Sequence, residues 1–136
     1  MAEAAHDEGV DLAVDVRSNA ADPAAGRLDS GHDYGRILSS ADRLMVWSYV
    51  GLSGPDGSKS LDVEALSRDL TDTYGADRVE VSVGLWADDD DLSPEELSEA
   101  LEAARRGGAT RVSVTPASKI TERHRDAIAA AWSGKR

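Results

Sequence analysis

Cysteine is absent from the 136-residue chain, which removes disulfides, thiol nucleophiles and thiolate-bound metals from consideration. Phenylalanine is absent too, and three Trp and three Tyr are the only aromatics. Where those six rings fall therefore carries information. Basic residues are scarce, with 15 Lys and Arg against 26 Asp and Glu, a net charge of −11. Such a surface repels phosphate backbones and anionic headgroups, so nucleic acid and membranes are excluded as expected partners. No apolar run approaches the roughly 20 residues that cross a bilayer. The stretch from Met1 to Glu8 lacks the basic start and apolar segment of a signal peptide. The expectation for the chain as written is a soluble, cytoplasmic protein, its compartment otherwise unknown.

What is present is a repeat. Four apolar runs read as strands: 11–17 (DLAVDVR), 43–49 (RLMVWSY), 78–86 (RVEVSVGLW) and 111–115 (RVSVT). Their first apolar members, Leu12, Leu44, Val79 and Val112, are 32, 35 and 33 residues apart. That is the length of one strand with its crossover helix. A helix over 61–74 places Val63, Leu66, Leu70 and Tyr74 on one face, and Gly75 stops it. Ser93, Pro94 and Glu96 spell a capping box for a helix whose stripe is Leu97, Ala100, Leu101 and Ala104. Thr121 starts the last helix, with Ala127, Ile128, Ala131 and Trp132 facing inward. Residues 18–31 read as a polar loop before a short helix near 33–40, and residues 2–9 as the tail of a helix feeding the first strand.

The strands alternate. Leu12, Val14 and Val16 oppose Ala13, Asp15 and Arg17; Val79, Val81, Val83 and Leu85 oppose Glu80, Ser82, Gly84 and Trp86. A sheet covered by helices on both faces reads as continuous apolar runs instead. The expected fold class is therefore α/β, a half (β/α)8 barrel of four parallel strands with helices on the outer face. Residues 1–136 form a single domain in this reading. Four units do not close a barrel of eight strands. An absent N-terminal half, a homodimer or an open sheet with bare edges all satisfy the pattern.

In such barrels the chemistry stands at the C-terminal ends of strands. Asp15 and Arg17 share one face at the first exit. They suit either a carboxylate held ionised by its neighbour, able to accept hydroxyls, or an interior ion pair. Glu80 and Arg111 are the matching pair at the opposite end, which reads as stability. Trp47, Tyr49 and Trp86 fall at strand exits on the same non-helical face. Apolar walls with a few placed polar groups make a ligand site, and aromatic platforms beside Asp and Arg suit sugars. Filling the top of the core is the other use for these rings. Gly84 leaves room beside Trp86 for a ring or a ligand. The acidic run 88–91 lacks the spacing of a calcium loop and suits a solvated loop before a helix. His6, His32 and His124 show no metal spacing, though His124 could face the strand ends. Gly51, Gly54 and Gly57 lack the Lys and Ser/Thr of a phosphate loop. No metal or cofactor is expected.

Asp33-Tyr34, Ile37-Leu38, the run from Ala41 to Tyr49, Val83-Gly84-Leu85-Trp86 and Val114-Thr115-Pro116 together resemble the last strands of glycoside-hydrolase-like (β/α)8 barrels. The resemblance spans roughly residues 10–133. It implies a carbohydrate-directed barrel portion, with Arg17, Trp47, Tyr49 and Trp86 binding substrate and Asp15 as the catalytic carboxylate. Ser48 departs from the pattern where a carboxylate would be useful, and no acid ends the third strand before Asp88. Glycosidases use two carboxylates about 5 Å or 6.5–9.5 Å apart. The portion is thus expected to be incomplete as a catalyst alone. A non-catalytic module that dimerises through its sheet edges and an open α/β domain for a small ligand are the competing readings.

Overall fold

The computed structural model describes residues 2–18, 32–51 and 62–133. The elements run α1 (Ala2–Asp7), β1 (Ala13–Arg17), α2 (Tyr34–Leu38), β2 (Arg43–Ser48), α3 (Val63–Tyr74), β3 (Val79–Gly84), α4 (Pro94–Arg106), β4 (Val112–Thr115), a 3-10 turn (Ala117–Lys119) and α5 (Glu122–Trp132). Every expected strand is present, shortened by a residue or two at its ends. Most of the loop expected at 18–31, together with Leu61, Gly54 and Gly57, lies outside the described residues.

The four strands form one parallel sheet in the order β1-β2-β3-β4. Right-handed crossovers between sequential neighbours put their helices on the same side. The packing agrees. Val16, Leu44, Val46 and Val79 are buried with Tyr34, Leu66 and Leu70 in one cluster. Val81 and Val83 join Val63, Leu97, Ala100, Leu101 and Ala104 in the other. Among the described residues, no side chain from the opposite strand face belongs to either cluster.

Local signals start and stop the helices. Asp62 caps α3 by accepting from the Ala65 N–H, and Gly75 ends it at φ 94°. Ser93 and Glu96 close the expected capping box on α4. Thr121 caps α5, with His124 in place of the usual Glu as its reciprocal partner. The lower end of the sheet is fastened by two residues that periodicity did not mark. Asp42 accepts from the Leu12 N–H at 2.7 Å and pairs with His6 of α1 at 2.8 Å. Arg78 donates to the carbonyls of Leu38, Ala41 and Asp42, satisfying acceptors that the end of α2 and the following turn leave open.

Candidate functional site

Period-two alternation carries Ala13, Asp15 and Arg17 of β1 to the sheet face away from the helices, with Met45 and Trp47 of β2 and Ser82 and Gly84 of β3. Register then sets rows across the strands. Asp15 stands beside Met45 and Met45 beside Glu80. The next row is Arg17, Trp47, Ser82 and Ser113, and above it Gly84 adjoins Thr115.

The five expected site residues are brought to this face and its exit. Trp47 and Tyr49 stack, with centroids 5.3 Å apart and planes at 11°. Trp86 leans against Tyr49 at 5.4 Å and 58°. The Arg17 guanidinium lies 5.8 Å from the Trp47 ring centre, within cation–π range. Asp15 and Arg17 are both exposed, and no ion pair among the described residues joins them. The interior pair that the spacing allowed is therefore replaced by an Arg–Trp contact, leaving the Asp15 carboxylate open to solvent.

Of the two uses that its position suggested for Gly84, room for a ring or for a ligand, the structure shows the ring. A Cβ there would stand 2.3 Å from Tyr49 Cδ1 and 3.1 Å from Trp86 Cε3. The room is filled by the protein's own Tyr49. Burial and the Asp15 charge push the Tyr49 phenol above its ordinary range, while a hydrogen bond with the Thr115 hydroxyl pulls it down. Thr115 stands at the fourth strand's exit, on the face expected for it, but had been given no role in this cluster. Its parity with Arg111 and Ser113 on β4 was the available signal.

The remaining candidates resolve structurally. His124 is 7% exposed; its Nε2–H donates to the Leu92 carbonyl at 2.8 Å and Nδ1 accepts from the Thr121 N–H. It fastens α5 to the loop before α4, at a residue whose own N–H is given to the Leu85 carbonyl just past the end of β3. Glu80 and Arg111 are not joined by any described ion pair, and Arg111 is exposed. Asp91 pairs with Lys119 at 2.7 Å, tying the acidic run to the turn after β4. Among the described residues no three acidic or histidine side chains are grouped to hold a metal ion. Gly51 bridges Ala87, where a Cβ would meet the Ala87 Cβ at 2.6 Å, so it serves strand-end packing. No described helix is long and apolar enough to cross a membrane.

The arrangement offers three kinds of contact: aromatic surface, one anionic acceptor and one cationic donor fork. It offers no nucleophile–base pair. No protein-family model matches the chain, and no curated protein matches it.

Proposed function

We propose that the chain is a portion of a glycoside-hydrolase-like (β/α)8 barrel whose open strand face binds carbohydrate. The observation that carries this reading is the Trp47–Tyr49 stack with Trp86 against it, set beside the exposed Asp15 and Arg17. A sugar ring presents C–H faces to aromatic surface and hydroxyls to its edge. A carboxylate accepts from those hydroxyls and a guanidinium donates to them. The sequential parallel sheet supports the barrel geometry, because a singly wound sheet has its helices on one side and a free concave side.

Cleavage by one copy is not part of this proposal. A glycosidase needs a second carboxylate across the bond. Glu80 shares a row with Asp15 but stands two strands away, at the second position of β3. Interstrand spacing puts those backbones about 10 Å apart, with Glu80 at the strand's entry and the aromatic rings at its exit. Of these two carboxylates, Asp15 is the one whose charge acts on the Tyr49 ring.

Titration of a panel of oligosaccharides, followed by Trp fluorescence and calorimetry, tests the reading. Binding is expected without release of reducing ends, and Trp86→Ala is expected to weaken it by about tenfold, the loss of one aromatic contact of 1–1.5 kcal/mol. A panel in which no sugar changes the fluorescence at millimolar concentration overturns it.

A further inference from the structure

We infer that two copies of this chain close into one eight-stranded barrel, β4 of each pairing in parallel with β1 of the other so that Thr115 lies beside Asp15 of the partner subunit. This rests on the barrel geometry proposed above and not on carbohydrate binding, so a failed sugar titration leaves it standing.

Among the described residues no strand pairs with either edge, and the two edges match. Val81 and Leu85 donate to the carbonyls of Arg111 and Thr115, so the odd positions of β4 face β3. The backbone groups of Val112 and Val114 therefore turn outward, as alternate residues do in a parallel ladder. On β1, Arg43 donates to the Leu12 carbonyl, so even positions face β2 and the groups of Ala13 and Asp15 turn outward. A row of outward donors and acceptors that no described strand takes up is a template for another strand.

Parity allows Ser113 to oppose Ala13, Asp15 or Arg17 of the second copy, and two observations select Ala13. The Arg17 N–H is already given to His32 Nδ1 at 3.1 Å. Registers that set Ser113 against Asp15 or Arg17 need that same N–H for Val114 or Val112; the Ala13 register does not. Stagger gives the same answer. The row that leaves β1 at its last residue, Arg17, runs through Trp47 and Ser82 and reaches β4 at its second residue, Ser113. Returning from Ser113 to Ala13 makes a rise of four residues per copy, 17 less 13. Two copies then give a total of about eight, the shear of an eight-stranded (β/α) barrel.

Charge and shape agree with that seam. It sets the exposed Arg111 beside Asp11, a carboxylate that already pairs with Arg43 at 3.3 Å and whose side chain is 68% exposed. On the helical side, a groove at the β1 edge has Leu12, Val14, Ile37 and Ala41 on its apolar part and Arg36 with two serines on its polar part. The helix following β4 carries Ile128 and Trp132, both only partly buried. A right-handed crossover places that helix over the seam, against the groove of the second copy. The closed mouth then sets Asp15 of the partner subunit beside Thr115, a second carboxylate added to the Asp15 of the same copy that already acts on the Tyr49 phenol.

The absence of cysteine makes the seam directly testable. In the Ala13→Cys, Ser113→Cys double variant the two positions of one copy are three strand spacings apart, about 14 Å laterally, and four residues apart along the strands as well, well beyond the roughly 7 Å reach of a disulfide. Mild oxidation is expected to yield a covalent dimer, with Arg17→Cys, Ser113→Cys yielding at most about one-tenth as much because its Cα atoms are four residues out of register. In sedimentation velocity the unaltered chain is expected to run as a dimer that dissociates on dilution. Arg111→Asp should weaken association by about threefold to fivefold, and adding Asp11→Arg should restore it. Equal cross-linking of both cysteine pairs, a monomer at every concentration, or charge variants that associate like the unaltered chain each overturn the seam.

Discussion

The ring of Tyr49 occupies the space that a side chain on Gly84 would need, 2.3 Å from the Cβ position at Cδ1 and 2.6 Å at Cε1. The glycine is thus the seat of the aromatic stack. Gly84→Ala is expected to lift Tyr49 away from Trp47 and to destabilise the fold by about 1–3 kcal/mol through overpacking. Near-UV circular dichroism should lose the signal of coupled rings, and any sugar affinity should fall with it. An alanine variant with unchanged near-UV spectrum and melting would show that the ring does not depend on this gap.

The phenol of Tyr49 reports on Asp15. Burial, then the Asp15 charge, raise its pKa, and the Thr115 hydroxyl lowers it. A carboxylate disfavours a phenolate nearby, so Asp15→Asn should let Tyr49 ionise at lower pH than in the unaltered chain. Thr115→Val should move it the other way, because a donor to the phenolate is removed. NMR with isotope-labelled tyrosine separates Tyr49 from Tyr34 and Tyr74. Identical titrations in all three proteins would place Asp15 too far from the ring to matter.

Much of this arrangement was legible because strand parity is local. Asp15, Arg17, Trp47, Gly84 and Trp86 could be assigned to one face from their spacing within each strand, without knowing which strands adjoin. The caps at Ser93 and Thr121 were legible for the same reason. What the spacing could not give was partner choice between strands. Arg17 shares a face with Asp15, yet the Trp47 ring stands directly beside it in the register, and the guanidinium lies there. Gly84 was read as space, but whether a ligand or Tyr49 fills it depends on register between β2 and β3. The partner of His124 was not legible because Leu92, whose carbonyl it meets, is 32 residues away.

Arg78 was not marked by any motif, and its three carbonyl partners assign it a structural load. The carbonyls of Leu38, Ala41 and Asp42 lie at 2.7–3.1 Å from its guanidinium. Arg78→Met keeps the stem and removes the donors. Hydrogen bonds to charged groups contribute about 1.5–3 kcal/mol, and partly buried acceptors are left behind. Chemical denaturation should show a loss of about that size. Arg78→Lys should recover only part of it, since an ammonium does not reproduce the planar fork. A lysine variant as stable as the arginine chain would show that charge alone is needed there.

Acid should loosen the chain through Asp42 and Glu64. The Leu12 N–H, then His6, hold Asp42 below its ordinary 3.8. Arg106, then Arg68, hold Glu64 below 4.5. A carboxylate whose folded pKa is depressed stabilises fully above its unfolded value and loses that contribution as pH falls through the folded one. The window therefore lies below about pH 5 and extends under the ordinary carboxylate range. A chain of net charge −11 also sheds self-repulsion as it acidifies, which acts with the opposite sign. Total stability against pH mixes the two effects, and the difference between the unaltered chain and Asp42→Asn separates them. That difference should shrink toward zero as pH falls below about 5. The bulk charge effect is nearly the same in both proteins, so only the Asp42 contacts can bend the difference curve. A difference that stays constant into the acid range would mean that Asp42 acts through its shape and not its charge.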